Sequence, residues 1–368
     1  MQKISAFLRR KDIVFSPKRY FIDAMSAMAQ GLFCTLLVGT ILNTLGTQLH
    51  IGFLTDIIVT LGKGDGAVGY TIGGLCSAMV GPGMAVAIGQ ALNAPPMVLF
   101  SLIPVGFATN AMGGAGGPLA VLFVAIIAAE IGKAVSKETK IDILVTPIVT
   151  ILSGIGAAAL IAAPIGTAAS AVGKAIMWAT ELQPFFMGII VSVVIGIALT
   201  LPISSAAICA ALGLTGLAGG AAVAGCCAQM VGFAVMSFRE NRWGGLAAQG
   251  LGTSMLQMGN IVRNPRIWIP PTLASAITGP IATCIFRMEM NGAAVSSGMG
   301  TCGLVGQIGV YTGWLADIEA GTKAAITAMD WIGLVLVCFV LPAILSWLIA
   351  LPLRKWGWIG EDDLKLDL

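Results

Sequence analysis

Two long stretches of the 368-residue chain contain no charged residue: Gly66–Ala129 and Leu182–Phe238. One bilayer crossing needs ~20 apolar residues, so each stretch is long enough to cross several times. Glycine and proline interrupt both stretches, and chain breaks at membrane depth are tolerated only where the backbone is buried in protein or lines a water-filled cavity. The pattern predicts an all-α polytopic membrane protein that contains a transport path.

The composition excludes an ordinary soluble protein. Hydrophobic residues make up 57% of the chain and charged residues only 10%, against ~25% charged in soluble domains. Basic residues are concentrated in the first 19 positions, and further basic loops lie at Lys133–Lys140 and Arg239–Arg242. By the positive-inside rule, these segments and both termini are predicted to be cytoplasmic.

Hydrophobic segments predict about ten transmembrane helices with broken or re-entrant segments. The predicted spans lie near residues 21–46, 66–92, 96–112, 118–133, 141–163, 184–201, 204–217, 220–238, 268–287 and 331–353. Interfacial segments are expected at His50–Leu61 and Leu246–Ile261, and an amphipathic stretch at Gly166–Thr180. The Gly/Ser-rich run Ser296–Gly313 is predicted to form a re-entrant hairpin.

An internal repeat at an offset of about 107 residues supports this organisation. It superposes Gly81 on Gly188, Gly106 on Gly213 and Gly113 on Gly220, among other identities. Transporters often form their substrate site where such repeats meet. The predicted regions are a basic cytoplasmic segment (1–20), a first membrane repeat (21–133), a second membrane repeat (134–240), a third membrane segment with the re-entrant hairpin (241–353) and a cytoplasmic tail (354–368).

Each predicted repeat contains a break rich in Gly, Pro and small polar residues. The first break runs from Asn93-Ala-Pro-Pro to Asn110 and its glycines Gly113 and Gly114, and the second contains Ser204 and Ser205. Matching broken segments in two halves indicate a transport site, and exposed helix N-termini suit hydroxyl or anionic groups. Close helix packing through small residues is the alternative interpretation.

Amide side chains within the apolar segments are further candidates, because amides both donate and accept hydrogen bonds and so suit a sugar or polyol. Interhelical hydrogen bonding is the alternative for each of them. Glu181 immediately precedes the second charge-free stretch and is the most notable ionisable candidate. The predicted substrate-binding residues are Asn93, Asn110, Gly113, Gly114, Glu181, Ser204, Ser205, Gln229, Gln249 and Gln257.

Other kinds of site find little support in the sequence. The eight cysteines form no Cys-x-x-Cys pair and His50 is the only histidine, so no metal site is expected. No Gly-x-x-x-x-Gly-Lys-Ser/Thr loop is present, so no P-loop ATP hydrolysis is expected. We expect no cofactor, no catalytic residue and no nucleic-acid partner; membership of a larger enzyme complex stays open.

Several runs resemble a known family. They are Met177–Gly188, Leu201–Ile208, Gly225–Asn241, Gln249–Gln257 and Asn264–Pro271. These runs resemble the membrane (EIIC) component of the bacterial phosphoenolpyruvate:sugar phosphotransferase system, and within it the stand-alone subgroup that includes perfringolysin-regulator-type proteins. The resemblance implies a homodimeric sugar permease in the bacterial cytoplasmic (inner) membrane, with phosphorylation by a separate soluble EIIB-type protein. It transfers no individual site residue.

The combined expectation is an EIIC-type permease that moves a small polar solute, a sugar or sugar derivative, by alternating access. The solute is expected to bind at the broken segments, and any phosphorylation is expected from separate soluble partners. The alternative is a membrane-embedded solute sensor or regulator that performs no net transport. The sequence does not name the solute.

Overall fold

Most of the described chain is helical, because in a bilayer the backbone N–H and C=O groups must be satisfied within the segment itself. The computed structural model describes residues 2–62, 67–180 and 182–366, and 79% of the structure is helical. Among these residues the only sheet has two strands. The chain divides into two compact units, unit 1 (residues 1–168) and unit 2 (residues 169–368).

Unit 1 begins with a helical stretch that matches the first predicted span. Two π-helical turns, at Arg19–Asp23 and Phe33–Leu37, join α2 and α3 into the apolar stretch Arg19–Thr47, which is long enough to cross a bilayer. The elements of unit 1 are α1 (Gln2–Arg10), α2 (Ala24–Leu32), α3 (Val38–Gln48), α4 (Gly52–Thr55), β1 (Val59–Leu61), β2 (Val68–Tyr70), α5 (Ile72–Ala78), α6 (Val80–Ala91), α7 (Pro96–Gly113) and α8 (Gly117–Val135). Helix α9 (Asp142–Thr180) contains the boundary between the units.

The segment predicted as interfacial, His50–Leu61, contains α4 and the exposed strand β1. This strand pairs with β2 as an antiparallel hairpin, with Thr60 opposite Gly69. The β-branched run from Ile57 to Thr60 favours this extended conformation. The connecting residues 63–66 lie outside the described chain.

Helices α5 and α6 form one bent span where the sequence predicts a single span at residues 66–92. The two helices meet at Met79 with a bend of 53°. Pro82 explains the bend, because proline has no N–H to donate to the carbonyl of Ala78 and α5 cannot continue through it. In the first turn of α6 this missing N–H costs nothing, since that position has no partner within the helix.

Helices α7 and α8 form an antiparallel hairpin. Gly114 separates them with φ +50°, and a Cβ placed on Gly132, late in α8, would lie 2.8 Å from Val98, early in α7. The helices have 18 and 19 residues, about 27–29 Å at 1.5 Å per residue, close to the thickness of a bilayer core. They match the spans predicted at residues 96–112 and 118–133.

Helix α9 is longer than predicted. The sequence predicts a span at residues 141–163 and a separate amphipathic stretch at Gly166–Thr180, whereas α9 is one helix of 39 residues. It continues through Pro147 and Pro164, which membrane helices tolerate because neighbouring groups satisfy the freed carbonyls. The prolines therefore do not end the helix.

Unit 2 is built around α12, which is almost entirely buried. Its most apolar 18-residue stretch is 94% buried, the highest share among the apolar helices of the described residues that could span a membrane. The elements of unit 2 are α10 (Pro184–Thr200), α11 (Ser205–Leu212), α12 (Gly216–Met236), α13 (Phe238–Ala247), α14 (Met258–Arg263), α15 (Ile269–Pro280), α16 (Val305–Glu319), α17 (Ala328–Val335) and α18 (Leu341–Lys355), with π-helical turns at Ala248–Gly252, Ile281–Ile285 and Leu336–Val340 and 3-10 turns at Ser254–Gln257, Pro265–Trp268, Ala294–Gly298 and Cys302–Leu304.

Glycines let the backbones around α12 touch. A Cβ on Gly225 would overlap the carbonyl of Ser192 in α10, and a Cβ on Gly220 would overlap the carbonyl of Met288. Small residues at helix contacts permit this approach in membrane proteins, where van der Waals packing drives association. The close-packing interpretation of the glycines is therefore correct for these two positions.

Five helical stretches of the described chain are long and apolar enough to cross a membrane, or six if α5 and α6 count as one span, and α10 is a shorter apolar helix. The predicted repeat is not evident in packing: Gly81 packs on the backbone of Gly106 and Gly188 on that of Gly279, whereas a Cβ on Gly213 would meet no atom within 4 Å. The reason is that α7 has 18 residues whereas its counterpart α11 has eight. The repeat stays a prediction.

Candidate functional site

Unit 2 contains two interrupted segments, and the first is residues 201–215. Helices α10 and α12 run parallel, since Ser192 lies against Gly225 and Thr200 against Gln229. Residues 201–215 must therefore bring the chain back along the full length of α10. They do so through the eight-residue helix α11, which Gly213 ends with φ +60°. The span predicted at residues 204–217 is thus a broken segment and not a continuous helix.

The second interrupted segment is residues 292–304. It starts beside Gly216, which exchanges two backbone hydrogen bonds of 3.0 Å with Met290. It then descends along α12 until Thr301 lies 3.5 Å from the sulfur of Met230. Helix α16 returns the chain to Gly313, beside the backbone of Asn291. This is the hairpin geometry predicted for Ser296–Gly313, with its start near Gly292.

The two interrupted segments bond to each other through buried serines; we call this contact the serine junction. Ser205 Oγ donates to the carbonyl of Gly298 at 2.7 Å, and Ser297 Oγ donates to the carbonyl of Leu214 at 2.6 Å. Both side chains are buried. Each hydroxyl satisfies a carbonyl that the broken helix leaves without a backbone partner. Ser205 is a predicted substrate-binding residue. Ser297 is not, although it lies in the Gly/Ser-rich run that is predicted to form the re-entrant hairpin.

Ser204 has a different position from Ser205. It is the N-cap of α11, and its hydroxyl accepts a hydrogen bond of 3.2 Å from the backbone N–H of Ala207. This is the role that serine usually has at a helix start.

Gln229 links three elements of unit 2 and is fully buried. Its Oε1 accepts from the indole N–H of Trp268 at 2.9 Å, and its Nε2 donates to Thr272 Oγ1 at 3.3 Å. Thr200, at the end of α10, lies beside it and shares a 2.8 Å hydrogen bond with Ser254. The amide of Gln229 is thus satisfied within the protein, as interhelical hydrogen bonding predicts.

Gln249 and Gln257 belong to a buried chain of amides. Gln257 Nε2 donates to Gln249 Oε1 at 2.8 Å, and Gln249 Nε2 donates to Ser237 at 2.9 Å. Asn260 donates to Gln257 Oε1 at 2.8 Å. Gln257 and Asn260 also donate to backbone carbonyls of Leu364 and Lys365. The segment predicted as interfacial, Leu246–Ile261, is therefore largely buried because its amides hold the C-terminal residues.

Asn93 lies in unit 1 and is exposed. It follows α6 with φ +55°, a left-handed conformation that asparagine tolerates at helix ends. Its amide donates to Asp12 Oδ2 at 3.0 Å. It lines a cavity of about 370 Å³, together with Arg10, Lys11, Asp12, Pro95, Lys133, Ser136, Lys137 and Glu138.

Two cations hold the end of α6 next to this cavity. Arg19 and the fully buried Lys133 both donate to the carbonyl of Leu92, at 2.6 and 2.8 Å. Cations are favourable at a helix C-terminus, where carbonyls lack partners and the dipole is negative. Lys133 also lies 3.2 Å from Glu130 Oε2. Lys133 therefore satisfies both a helix terminus and a buried carboxylate.

Asp12 has a pKa well below its usual value. Arg19 donates to both of its carboxylate oxygens, at 3.2 and 2.5 Å. This guanidinium holds the pKa of Asp12 at about 2, below the usual 3.8; partial burial opposes the shift and the amide of Asn93 adds to it. Asp12 therefore stays ionised at every physiological pH.

Asn110, Gly113 and Gly114 lie at the other end of α7 from Asn93. Residues 96 and 110 are 14 positions apart in this helix, about 21 Å, so the two asparagines do not adjoin. Asn110 is half-buried and lies against Gly117 at the start of α8. Gly113 is buried and Gly114 is exposed. Glu181 lies outside the described residues.

A second polar cavity, in unit 2, has a volume of about 380 Å³, and we call it the Asp317 cavity. Its lining residues are Arg287, Glu289, Asn291, Trp314, Asp317, Thr322, Lys323 and Asp330. None of them is among the predicted substrate-binding residues. The alternating polar run Arg287-Met-Glu289-Met-Asn291, at the end of a predicted span, is the signal that could have found them.

The Asp317 cavity adjoins the interrupted segments. Asn291 Oδ1 accepts from the backbone N–H of Gly216 at 3.1 Å, at the start of α12. Asn291 Nδ2 donates to both carboxylate oxygens of Asp317, at 3.1 and 2.9 Å. One residue thus connects the cavity to the starts of both α12 and the second interrupted segment. Among the described residues no group of three or more His, Cys, Asp or Glu side chains could hold a metal ion.

A protein family matches a stretch of the chain that includes both units. The family described as "Phosphotransferase system, EIIC" matches residues 22–366. No curated protein and no solved structure matches the chain. Because the family match includes nearly all of the sequence, the chain belongs to the phosphotransferase system EIIC family.

Proposed function

We propose that the chain is an EIIC-type permease that carries a small polar solute, a sugar or sugar derivative, by alternating access, with any phosphorylation done by separate soluble proteins. Membership of the family makes it a sugar-type membrane permease in general, with a sugar substrate and a soluble EIIB partner. Together with the apolar helices, it makes the chain an integral membrane protein, with the bacterial cytoplasmic membrane as the expected location.

The serine junction is the observation that carries the transport mechanism. Interrupted backbone at membrane depth is tolerated only where protein or a water-filled cavity surrounds it, and transporters use such breaks as substrate sites. Among the described residues, two side-chain hydrogen bonds join the segments, from Ser205 and Ser297. Each contributes roughly 0.5–1.5 kcal/mol, so the hydrogen bonds themselves add little resistance to separation of the segments. A solute passing between them would find serine hydroxyls and free carbonyls.

The chain path supports ten crossings with both termini cytoplasmic. The hairpin α7–α8 counts as two crossings, and residues 201–215 provide one because α10 and α12 are parallel. The crossings are then Arg19–Gln48, α5–α6, α7, α8, α9, α10, residues 201–215, α12, α15 and α17–α18. Residues 292–304 enter and return with α16.

The positions of charges orient unit 2. Basic residues gather at the end where α12 and α18 finish: Arg239, Arg242, Arg263, Arg266, Arg354 and Lys355. By the positive-inside rule this end faces the cytoplasm. The Asp317 cavity, at the start of α12, then faces outward and is placed to receive a solute.

A disulfide tests whether the second interrupted segment must move. A Cβ on Gly219 would lie 2.9 Å from Ser297 Oγ, close to the Cβ-to-sulfur separation across a disulfide, about 3 Å. We expect the double variant Gly219→Cys/Ser297→Cys, in a cysteine-free background, to lose sugar uptake into proteoliposomes when oxidised and to regain it on reduction. Each single variant is the matched control.

Two outcomes distinguish a permease from a solute sensor that performs no net transport. Full uptake by the oxidised protein would contradict movement of this segment. A wild-type protein that binds sugars but takes up none would instead favour the solute sensor.

Ser205 is the predicted contact residue that this proposal uses most directly. Ser205→Ala should lower both affinity and uptake several-fold, because a neutral hydrogen bond to the solute or to Gly298 is lost.

The other predicted contacts stay proposals: Asn93, Asn110, Gly113, Gly114, Glu181, Ser204, Gln229, Gln249 and Gln257. A homodimer is also proposed, and mass measurement in nanodiscs should then give about twice 37.7 kDa.

A further inference from the structure

We infer that the Asp317 cavity is the outer recognition site of the permease and that it selects an uncharged polyhydroxy compound, a sugar or sugar alcohol, over a sugar acid. This inference rests on the proposed function and gives it a location and a ligand chemistry. It depends on the wall, the charges and the position of the cavity.

A non-helical segment, Arg287–Asn291, builds one wall of the cavity. Arg287, Glu289 and Asn291 line the cavity, whereas Met288 and Met290 between them are buried in the same hydrophobic cluster as Trp314. The methionines therefore anchor the wall, and the polar residues are held in place to face a ligand.

Arg287 and Glu289 keep free hydrogen-bonding capacity. Among the described residues Arg287 has no ion-pair or hydrogen-bond partner, and Glu289 accepts only a 3.2 Å bond from Asn291. Arg287 also has φ +47°, a strained conformation that tends to occur at functional sites. A guanidinium donor beside a carboxylate acceptor can bind neighbouring hydroxyl groups through charge-assisted hydrogen bonds.

The charges of the cavity disfavour an anion. Three carboxylates line it, from Glu289, Asp317 and Asp330, against the two cations Arg287 and Lys323. Lys323 is committed to Asp330 at 2.8 Å and lies 5.8 Å from the ring centroid of Trp314. One negative charge thus remains uncompensated, so a ligand carboxylate or phosphate would be repelled whereas a neutral ligand would not.

The lining and size of the cavity fit a small sugar. Trp314 is the aromatic residue of the lining, and Trp331 packs edge-on against it at 5.5 Å, which holds the indole in place. The volume of about 380 Å³ falls within the range of ~300–1,000 Å³ typical of small-molecule sites. An aromatic surface with a few convergent polar groups is the usual composition of such a site.

The position of the cavity couples recognition to the interrupted segments. Asn291 contacts both Asp317 and the N–H of Gly216, and Met290 pairs with the same glycine. A ligand that engages Asp317 or Asn291 therefore acts next to the contact at which α12 and the second interrupted segment begin.

Equilibrium binding of D-glucose, D-mannitol and D-gluconate to the purified full chain tests the selectivity. We expect the wild-type protein to bind a neutral member of this panel more tightly than gluconate. Asp317→Asn should weaken neutral binding about tenfold or more, because a charge-assisted acceptor is lost. It should also shift the gluconate-to-neutral affinity ratio toward gluconate, because one negative charge is removed. The matched control is Glu319→Gln, an exposed carboxylate that does not line the cavity.

A second measurement locates the ligand without a change in affinity. Thr322 lines the cavity, so a Thr322→Cys variant in a cysteine-free background should react more slowly with an impermeant maleimide when the neutral ligand is saturating. Labelling of Glu319→Cys should not change. Unprotected labelling at position 322, an unaltered ratio in Asp317→Asn, or a preference for gluconate would each overturn the inference. Normal sugar uptake in those cases would leave the proposed function standing, whereas absence of uptake in the wild type would remove the proposed function itself.

Discussion

Gly114 closes the α7–α8 hairpin with φ +50° and ψ −123°, a conformation that residues with a Cβ rarely adopt. No atom lies within 4 Å of the position its Cβ would take, so a substitution there is affected by backbone strain and not by a clash. We expect Gly114→Ala and Gly114→Val to lower stability by about 1–3 kcal/mol. Thermal unfolding in detergent measures the change.

Gly156 in α9 is the matched control, because it is equally open but has helical backbone geometry. Gly156→Ala should leave stability unchanged or raise it by up to ~1 kcal/mol, since alanine favours the helix. A Gly114→Ala variant as stable as the wild type would show that the hairpin does not need this glycine.

Lys133 is a fully buried cation of unit 1 that needs several partners. It donates to the carbonyls of Asp12 and Leu92 and pairs with Glu130, so Lys133→Met would leave a buried carboxylate without its cation. Removing one partner of a buried ion pair typically costs about 3–5 kcal/mol. The double variant Lys133→Met/Glu130→Gln should recover much of this loss in the same unfolding assay. Equal stability of the single variant and the wild type would contradict the pairing.

Asp12 should make the free energy of unfolding depend on pH. Its pKa falls from 3.8 to about 2 in the folded protein, so its stabilising contribution is fully present above pH ~4 and is lost as the pH falls through about 2. The wild type should therefore be more stable than Asp12→Asn at pH 7, and the difference should shrink between pH 4 and pH 2. A difference that is constant across this range would exclude the Arg19 pairing as its cause.

Among the elements of unit 2, the C-terminal segment, residues 358–366, is held by amide side chains that bond to its backbone. Asn241 bonds to the carbonyl of Leu364 at 2.7 Å and accepts from the N–H of Leu366 at 2.8 Å, and Gln257 and Asn260 add two further bonds. Removing residues 358–368 would leave buried amides without partners, at about 1–3 kcal/mol each. We expect a clearly lower unfolding temperature.

Lys365→Ala is the control for this truncation, because the side chain of Lys365 takes no part in these contacts and only its backbone carbonyl is bonded. It should unfold like the wild type. A truncated chain with wild-type stability would show that the amide chain is satisfied without the segment.

For the molecule as a whole, the proposed ten crossings predict which loops face each side of the membrane. Lys137, in a basic loop, and Glu319, at the end of α16, are both exposed. With cysteine placed at each position in a cysteine-free background, an impermeant maleimide should label position 137 only from the cytoplasmic side. It should label position 319 only from outside. Labelling of both positions from the same side would contradict the ten-crossing path.

Local composition of the sequence predicts the class of the protein and most of its long helices. Charge-free segments of sufficient length predict spans whatever their neighbours are, because the cost of placing charge or free backbone groups in hydrocarbon is local. The spans at residues 96–112, 118–133 and 220–238 correspond to α7, α8 and α12 for this reason. The Gly/Ser-rich run Ser296–Gly313 likewise indicated a hairpin, because its composition cannot form a plain span.

It takes the folded structure to show which polar residues bond to each other and which remain open to a ligand. An amide in an apolar segment has the same sequence pattern in either case, and its partner lies far away in the chain. Gln229 bonds to Trp268 and Gln257 to the backbone of Leu364, whereas Arg287 and Asp317 line a cavity from segments 30 residues apart. Satisfaction of a hydrogen bond is a property of the folded neighbourhood, and it is absent from the sequence pattern for that physical reason.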